Sequence, residues 1–414
     1  MDRQAIERHQ LVRLNGLLDR ILPENRFYAE KLATIRRPVT SLAELQDWNY
    51  TFKDELLGAN HEHELAANLT WPRERYSRFH QTSGTRGRPM IVLDAVDDWP
   101  WWLDCWQYVF DAAEITEADC AFFAFSFGPF IGFWTAFDAA AARGCLVVPG
   151  GGMTTRARLD LIARSRATVL FCTPTYAMHL AEAAAEHKQD VGELGIRVLV
   201  LAGEPGGSVP SMRSRLEQTW QARVIDHAGA SEIGAWGYGL ASGGGMYLNE
   251  SDFLAEFISV ETGGQAGEGE LSELVLTTLG RAGAPVLRYR TGDLVRPTWE
   301  REGSNRFVFL EGGVLGRSDD MLVVRGVNIF PSSLEQIIRG FPEIVEFRIT
   351  ARTLSSMDEL FIEIEDRLDQ PKRVAEELAL RLGLKVELTT VPLGSLPRFE
   401  GKSRRFIDER QRTL

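Results

Sequence analysis

Val198-Leu199-Val200-Leu201-Ala202-Gly203-Glu204-Pro205-Gly206-Gly207 is an unbroken apolar run that stops at a turn of glycines, a proline and one acid. A strand with no polar alternation is buried on both faces, which is the habit of parallel sheets covered by helices. Similar runs stand at Ala121 to Phe125, Cys145 to Val148, Thr168 to Cys172 and Arg223 to Asp226. Helical patterns separate them at Phe130 to Arg143, Arg156 to Arg166, Tyr176 to His187 and Ser211 to Trp220. The alternation predicts an α/β fold with a mostly parallel sheet flanked by helices. In such sheets ligands gather beyond the carboxyl ends of the strands. Two of those ends are chemically unusual: the turn Ala202 to Gly207, and Asp226-His227-Ala228-Gly229-Ala230-Ser231-Glu232-Ile233-Gly234.

Outside this region the pattern changes. Residues 1 to about 70 read as helical, with Leu11, Leu14, Leu17, Leu18 and Ile21 at helical spacing and a short helix at Ser41 to Asp47, capped by Ser41 with Glu44 three residues on. Pro100 to Ala113 carries Trp102, Trp106 and Val109 on one stripe, which reads as core. From Asp252 to about Arg296, strands at Phe253 to Val260, Glu273 to Thr278 and Val286 to Tyr289 suggest a β-rich antiparallel flank. Near Gly316 to Asp320 the pattern breaks again. The remainder mixes strands (Leu322 to Arg325, Glu346 to Thr350, Leu360 to Ile364) with helices (Ser332 to Gly340, Pro371 to Gly383). The expected division is a large N-terminal domain over 1–317 and a small, mobile α+β domain over 318–414.

Composition narrows the function classes. The chain has 414 residues, is 44% hydrophobic and carries a formal charge of −12. That length and apolar content suit a globular protein with a large core. The negative balance argues against nucleic-acid or anionic-membrane partners, so any anionic ligand must be held by local positive groups. Cys105, Cys120, Cys145 and Cys172 form no C-x-x-C pair and read as buried thiols in a reducing compartment. The N-terminus reads as an amphipathic helix and not a signal peptide, so the expected location is cytoplasmic. Cys120 to Phe137 is uncharged over 18 residues, near the length of a membrane span, but Ser126, Gly128, Pro129 and Gly132 interrupt it, and a strand, turn and helix are expected instead.

The remaining signal is a loop, His80-Gln81-Thr82-Ser83-Gly84-Thr85-Arg86-Gly87-Arg88-Pro89. Its glycines let backbone amides turn inward, its hydroxyls donate, and Arg86 and Arg88 supply fixed charge, all suited to phosphate oxygens. It fits neither G-x-x-x-x-G-K-[ST] nor G-x-G-x-x-G, and a loop of this composition by itself is more often a surface turn. Context comes from Ala228 to Glu232, from Arg288-Tyr289-Arg290-Thr291-Gly292-Asp293, from Gly316-Arg317-Ser318-Asp319-Asp320 leading to Arg325-Gly326, and from Leu396-Pro397-Arg398-Phe399-Glu400-Gly401-Lys402.

Together and in this order, these segments resemble the adenylate-forming enzymes (acyl-CoA synthetases, adenylation domains and luciferases), most closely the phenylacetate-CoA ligase branch. The resemblance runs from about residue 26 to 408. It implies that an aromatic carboxylic acid is activated with ATP to an acyl-adenylate and then joined to coenzyme A. Thr82, Ser83, Gly84, Thr85 and Gly87 would wrap the ATP phosphates. Gly203, Glu204 and Pro205 would wall the adenine site with Asp226 nearby, Ser231 would meet the α-phosphate, and Glu232 would help hold Mg²⁺. Asp293 would accept the ribose hydroxyls and Arg317 would reach the ribose from the hinge side. Lys402 would bridge the substrate carboxylate and the phosphate. Asp319 matches the hinge, about which the small domain would rotate to bring Arg325 and Gly326 to the coenzyme A tunnel. Phe125, Phe127, Phe130, His227, Ala228 and Gly229 are the acyl-pocket candidates; the aromatic cluster is partly core, and His227 reads either as a satisfied structural group or as a pocket wall.

The sequence departs from the family pattern in three places. Arg86 and Arg88 replace a threonine and a lysine of the phosphate loop, and Ala228 stands where an aromatic residue is common. The segment Trp299 to Gly313 has no cysteine, so no structural zinc is expected. The partners expected are small molecules, with no nucleic acid and no membrane, and the assembly a monomer or homodimer. A second reading passes the adenylate to a carrier-protein thiol or an amine, and a third is a non-catalytic binding protein.

Overall fold

Asp2 starts the first helix: its carboxylate accepts the amide of Ala5 at 2.7 Å, satisfying one of the donors that a helix start leaves open. In this computed structural model, which describes residues 2–57, 65–82, 89–299, 305–318, 322–324, 327–354, 357–382, 386–399 and 405–410, helix α1 spans Arg3–Ile21 and buries Leu14, Leu17, Leu18 and Ile21 on one stripe. Helices α2 (Arg26–Lys31) and α3 (Lys53–Leu57) follow. Between them lies the expected short helix, a 3₁₀ turn at Leu42–Asp47 closed by the Ser41 and Glu44 capping box. A hairpin of β1 (Tyr76–Gln81) and β2 (Ile91–Ala95) leads into α4 (Asp98–Ala112).

The chain then alternates β3 (Cys120–Phe123), α5 (Trp134–Ala142), β4 (Leu146–Pro149), α6 (Thr155–Ser165), β5 (Val169–Cys172), α7 (Pro174–Glu186), β6 (Val198–Leu201), α8 (Pro210–Trp220) and β7 (Arg223–Ala230). Strands β4, β3, β5, β6 and β7 lie side by side and run parallel. Their alternate residues serve opposite faces. Phe123, Phe171 and Val200 join the core with α4 and α5, whereas Phe122, Leu170 and Leu199 join the one with α6, α7 and α8. This double covering is why the strands lack polar alternation. All four cysteines are buried and none is in a disulfide.

The sheet continues past Asp226, where the strand was expected to end. After Asp226 the chain stays extended to Ala230, turns, and returns as β8 (Gly234–Gly239) and β9 (Gly245–Leu248), so His227, Ala228 and Gly229 lie in a strand. Glycines hide β8 from a sequence reading, yet the packing requires them. A Cβ on Gly237 would lie 2.8 Å from the Met246 sulfur, and one on Gly239 would lie 3.0 Å from the Asp226 backbone nitrogen.

Strands β10 (Phe253–Ser259), β11 (Ser272–Thr278) and β12 (Tyr289–Val295) build the antiparallel flank, while β13 (Pro297–Thr298) and β14 (Phe309–Glu311) complete the nine-stranded sheet. The flank gains β15 (Gly316–Arg317), which pairs Arg317 with Asp293. The strand expected at Val286 to Tyr289 begins only at Tyr289, because Arg288 takes φ +48 and breaks the extension. The helix expected from Phe130 begins at Trp134, since Gly132 at φ +40 keeps the preceding residues in a turn.

Hairpin β16 (Leu322–Val324) and β17 (Val327–Ile329) opens the last segment, followed by α9 (Pro331–Arg339), β18 (Ile344–Leu354), β19 (Met357–Asp366), α10 (Pro371–Leu382), β20 (Glu387–Thr390) and β21 (Phe406–Asp408). The sheet order is β20, β19, β18, β21, and among the described residues its core draws on Leu322 through Phe406. Among the described residues no helix is long and apolar enough to cross a membrane.

Candidate active site

Ser83, Gly84, Thr85, Arg86, Gly87 and Arg88 lie outside the described residues; the base of their loop does not. Thr82 donates its amide to the Met90 carbonyl, and the Thr82 hydroxyl accepts the amide of Met90, both at 2.9 Å. The amide of Gln81 reaches the Pro129 carbonyl at 2.7 Å. The loop therefore leaves from a closed stem. Behind the stem, His80 stacks on Trp99 with centroids 5.9 Å apart, and its Nδ1 stands 3.7 Å from Asp94.

Asp94 and Arg281 form an ion pair that is wholly buried, each side chain 0% exposed. Asp94 accepts Trp102 Nε1 at 3.0 Å and Arg281 Nε at 2.8 Å. Burial by itself would raise this carboxyl, but the Arg281 guanidinium and the donors around it outweigh that and hold it below its usual range. Arg281 Nη1 also donates to the Ser231 carbonyl at 3.0 Å. One buried pair thus ties the base of the loop after Thr82 to the Ser231-Glu232 turn, and neither residue stood out in the sequence.

Glu232 is met by two further groups that sequence reasoning missed. The Tyr289 hydroxyl donates to it at 3.0 Å, and Lys53 Nζ stands 3.4 Å away. Lys53 arrives because Thr51 pairs in parallel with Tyr289, donating to the Arg288 carbonyl at 2.8 Å and accepting the Arg290 amide at 2.9 Å. Burial would raise the Glu232 carboxyl, but Lys53, a backbone amide and Tyr289 together lower it. Tyr289 was visible within the Arg288 to Asp293 motif. Lys53, a lone lysine in a helical stretch, carried no signal. Further along β12, Arg317 Nη1 reaches Asp293 at 3.1 Å, so the two residues expected at the ribose are in contact.

The turn after β6 sits on the first turn of α7. Gly203 adopts φ +94, and a Cβ on Gly206 would lie 2.5 Å from the Pro174 ring. The Glu204 carboxylate accepts the amide of Thr175 at 2.8 Å and also its hydroxyl; Pro205 is exposed. Asp226 is held at the end of the parallel portion by the Ser208 hydroxyl at 2.5 Å and the His227 amide at 3.1 Å. His227 Nδ1 lies 2.8 Å from the Gly237 carbonyl, and its ring is 4.1 Å from that of Trp106. The neutral ring donates there, so one nitrogen is spent on the β7–β8 pair. Gly229 is required by the same pair, since a Cβ would lie 2.8 Å from the Gly234 carbonyl.

Burial pushes the Asp226 carboxyl up to about 6, with Ser208 opposing, and pushes His227 down to about 4, with Gly237 opposing. Between roughly pH 4 and 6 folded Asp226 keeps a proton that the unfolded chain releases, so its contribution to stability falls as pH rises. His227 lacks a proton that the unfolded chain binds, so its contribution rises. Each slope is about 1.4 kcal/mol per pH unit, and the two offset. Asp226→Asn is therefore expected to lose stability on acidification from pH 6 to 4, and His227→Gln to lose it from pH 4 to 6, in urea unfolding. Parallel pH profiles for both variants and the parent chain would refute this.

Around the acyl-pocket candidates, Phe125 and Phe127 are half-buried, with centroids 4.4 Å apart, and Phe127 packs edge-on against Trp134 at 4.7 Å. Phe130 is 43% exposed and stands apart from this ring cluster. Ala228, half-buried, faces Gly237 across the β7–β8 pair.

Asp319, Arg325, Gly326 and Lys402 lie outside the described residues, but both stems of the segment carrying Lys402 are clamped. Arg398 Nη1 and Nη2 reach Glu365 at 3.1 and 2.7 Å. Arg405 Nε and Nη2 reach Glu346 at 2.5 and 2.9 Å. Glu346 and Glu365 are directly opposite on β18 and β19, so each carboxylate neutralises the arginine of one stem.

The family model of the AMP-binding enzyme C-terminal domain matches residues 326–410. The phenylacetate-coenzyme A ligase of Escherichia coli is 30% identical over 397 residues, covering 92% of this chain and 86% of its own. The chain belongs to the adenylate-forming enzymes, in the phenylacetate-CoA ligase branch. Another relative in that branch, from Thermus thermophilus, is 29% identical and covers 99% of this chain and 97% of its own. The adenylate-forming fold extends to solved structures of 2-hydroxyisobutyryl-CoA ligase. In its postadenylation state with 2-HIB-AMP, the TM-score is 0.90 at 24% identity, covering 99% of this chain and 90% of that one. In its thioesterification state with 2-HIB-AMP and CoA, the TM-score is 0.73 at 25% identity, over 99% and 91%.

Proposed function

We propose that this chain activates a carboxylic acid with ATP and transfers the acyl group to coenzyme A, with an aromatic or arylacetic acid as substrate. The observation that carries the reading is the contact of Glu232 with Tyr289 beside the Asp293–Arg317 pair, with Ser231 tied through Arg281 and Asp94 to the stem of the phosphate loop. Relatives named phenylacetate-coenzyme A ligase support the substrate class.

The residues take their parts by chemistry. Thr82, Ser83, Gly84, Thr85 and Gly87 hold the phosphates, and Ser231 meets the α-phosphate. Gly203, Glu204, Pro205 and Asp226 border the adenine. Asp293, acceptor-only when ionised, takes the ribose hydroxyls while Arg317 holds one of its oxygens. The acid's carboxylate attacks the α-phosphorus and pyrophosphate leaves; Lys402 offsets the charge gathered between the two reactants. The thiol of coenzyme A then attacks the acyl carbonyl, with Arg325 and Gly326 on its approach, and AMP leaves. The acyl group rests against Phe125, Phe127, Phe130, His227, Ala228 and Gly229.

Glu232 suits Mg²⁺ as a single ionised carboxylate, because this ion keeps waters and binds mainly through substrate phosphates. Bound with the nucleotide, Mg²⁺ would offset phosphate charge. The division into 1–317 and 318–414, turning about Asp319 between steps, is part of this reading, and the separate core of the last segment supports the division.

The test is ATP–pyrophosphate exchange over a panel of aryl, arylacetic and short aliphatic acids, followed by thioester detection with CoA. Exchange with an aryl acid and a CoA thioester are expected. Exchange restricted to aliphatic acids would reject the substrate class, and AMP release without CoA consumption would reject the acceptor.

A further inference from the structure

Arg405 has a partner on each side of a seam. Its Nε and Nη2 are occupied by Glu346 within the C-terminal sheet. Its Nη1 points the other way, 3.3 Å from the hydroxyl of Thr175 at the start of α7 and 3.8 Å from Glu335. The rings of Phe347 and Phe399 lie 5.4 and 5.7 Å from its guanidinium carbon, and the residue is 4% exposed. A guanidinium buried to this degree needs its N–H groups occupied.

Thr175 is itself joined to the turn after β6. Its amide and hydroxyl both go to Glu204; burial by itself would lower the Arg405 guanidinium, but Glu346 above all, then Glu335 and Glu204, raise it. Glu204, Thr175, Arg405 and Glu346 form one hydrogen-bonded chain in which the neutral Thr175 hydroxyl links a carboxylate to a guanidinium. It runs from the turn at the expected adenine wall to the stem of the segment that carries Lys402. Thr173 caps α7 and Pro174 opens it, so Thr175 is held rigidly.

We propose that Thr175 is a positioning residue for acyl-adenylate formation: its hydroxyl docks Arg405, and with it the C-terminal segment, in the arrangement needed for the first step. This rests on the two-step ligase reading above. The chain superposes on a ligase in the postadenylation state at TM-score 0.90 and on the thioesterification state of the same ligase at 0.73, so the contact occurs in an arrangement nearer to the postadenylation state. Turning the C-terminal segment away would separate Arg405 from Thr175, and the contact favours one state only. A difference in state preference of that kind changes the balance of half-reactions without touching the substrates.

The experiment uses the full chain as Thr175→Val and Thr175→Ser, with whichever panel acid the parent enzyme exchanges fastest. Thr175→Val is isosteric but lacks the hydroxyl; Thr175→Ser keeps it. Exchange by Thr175→Val is expected to fall about tenfold, the scale of one hydrogen bond to a charged group. Thioester formation from supplied acyl-adenylate and CoA should be unchanged or faster, and Thr175→Ser should restore exchange. Unchanged exchange in Thr175→Val overturns the proposal, as does an equal loss in both half-reactions. If the parent enzyme exchanges with no acid, the ligase reading itself fails and this inference falls with it.

Discussion

Lys402→Ala is expected to slow ATP–pyrophosphate exchange by about 10²–10³-fold, the range seen when one preorganised charge-stabilising group is removed. Thioester formation from a supplied acyl-adenylate should be nearly unaffected. The reason is the charge balance of the first step, in which an anionic acid meets an anionic phosphate in a protein of formal charge −12. Only local cations can offset that repulsion. The segment with Lys402 is prepared for the task at both stems, because Arg398 and Arg405 are neutralised by Glu365 and Glu346. Those arginines are held as fixtures, and on the proposed reading Lys402 is the group that serves the reaction. Single-turnover measurement of each half-reaction checks this. Equal losses in both would mean that Lys402 supports the fold or a shared binding step instead.

Arg281→Met is expected to destabilise the fold by about 3–5 kcal/mol, the penalty for removing one partner of a buried ion pair. Asp94 would keep the Trp102 donor but lose the guanidinium that holds its charge in a site with no exposure. The Ser231 carbonyl would lose a donor as well. The double variant Asp94→Asn with Arg281→Met should recover much of the loss, because an amide tolerates burial better than an unpaired carboxylate. Urea unfolding of the single and double variants measures both. A single variant within about 1 kcal/mol of the parent would show that the pair does not hold this region, since that is the ordinary effect of an unremarkable substitution.

Much of the site could be read as motif. The runs ending at Phe125, Cys172, Ala202 and Asp226 mark neighbouring parallel strands, and the contact of Asp293 with Arg317 joins two segments already singled out. Other parts had no local signal. Lys53 reaches Glu232 only because Thr51 pairs with Tyr289 more than two hundred positions along the chain. Neither Arg281 nor Asp94 belongs to a segment that the sequence singled out. Strand β8 was hidden by glycines that exist to admit Met246 and the Asp226 backbone.

The sequence by itself determined the layered α/β plan, because unalternated apolar runs between helical patterns leave few ways to bury both faces of each strand. It also determined the order of the motifs. Tertiary structure alone decided which charges meet: Lys53 with Glu232, Arg281 with Asp94, and Arg405 with Thr175 across the seam. Hydrophobic periodicity is a local property that repeats every few residues, whereas an ion pair depends on where two distant segments come to rest in the folded chain.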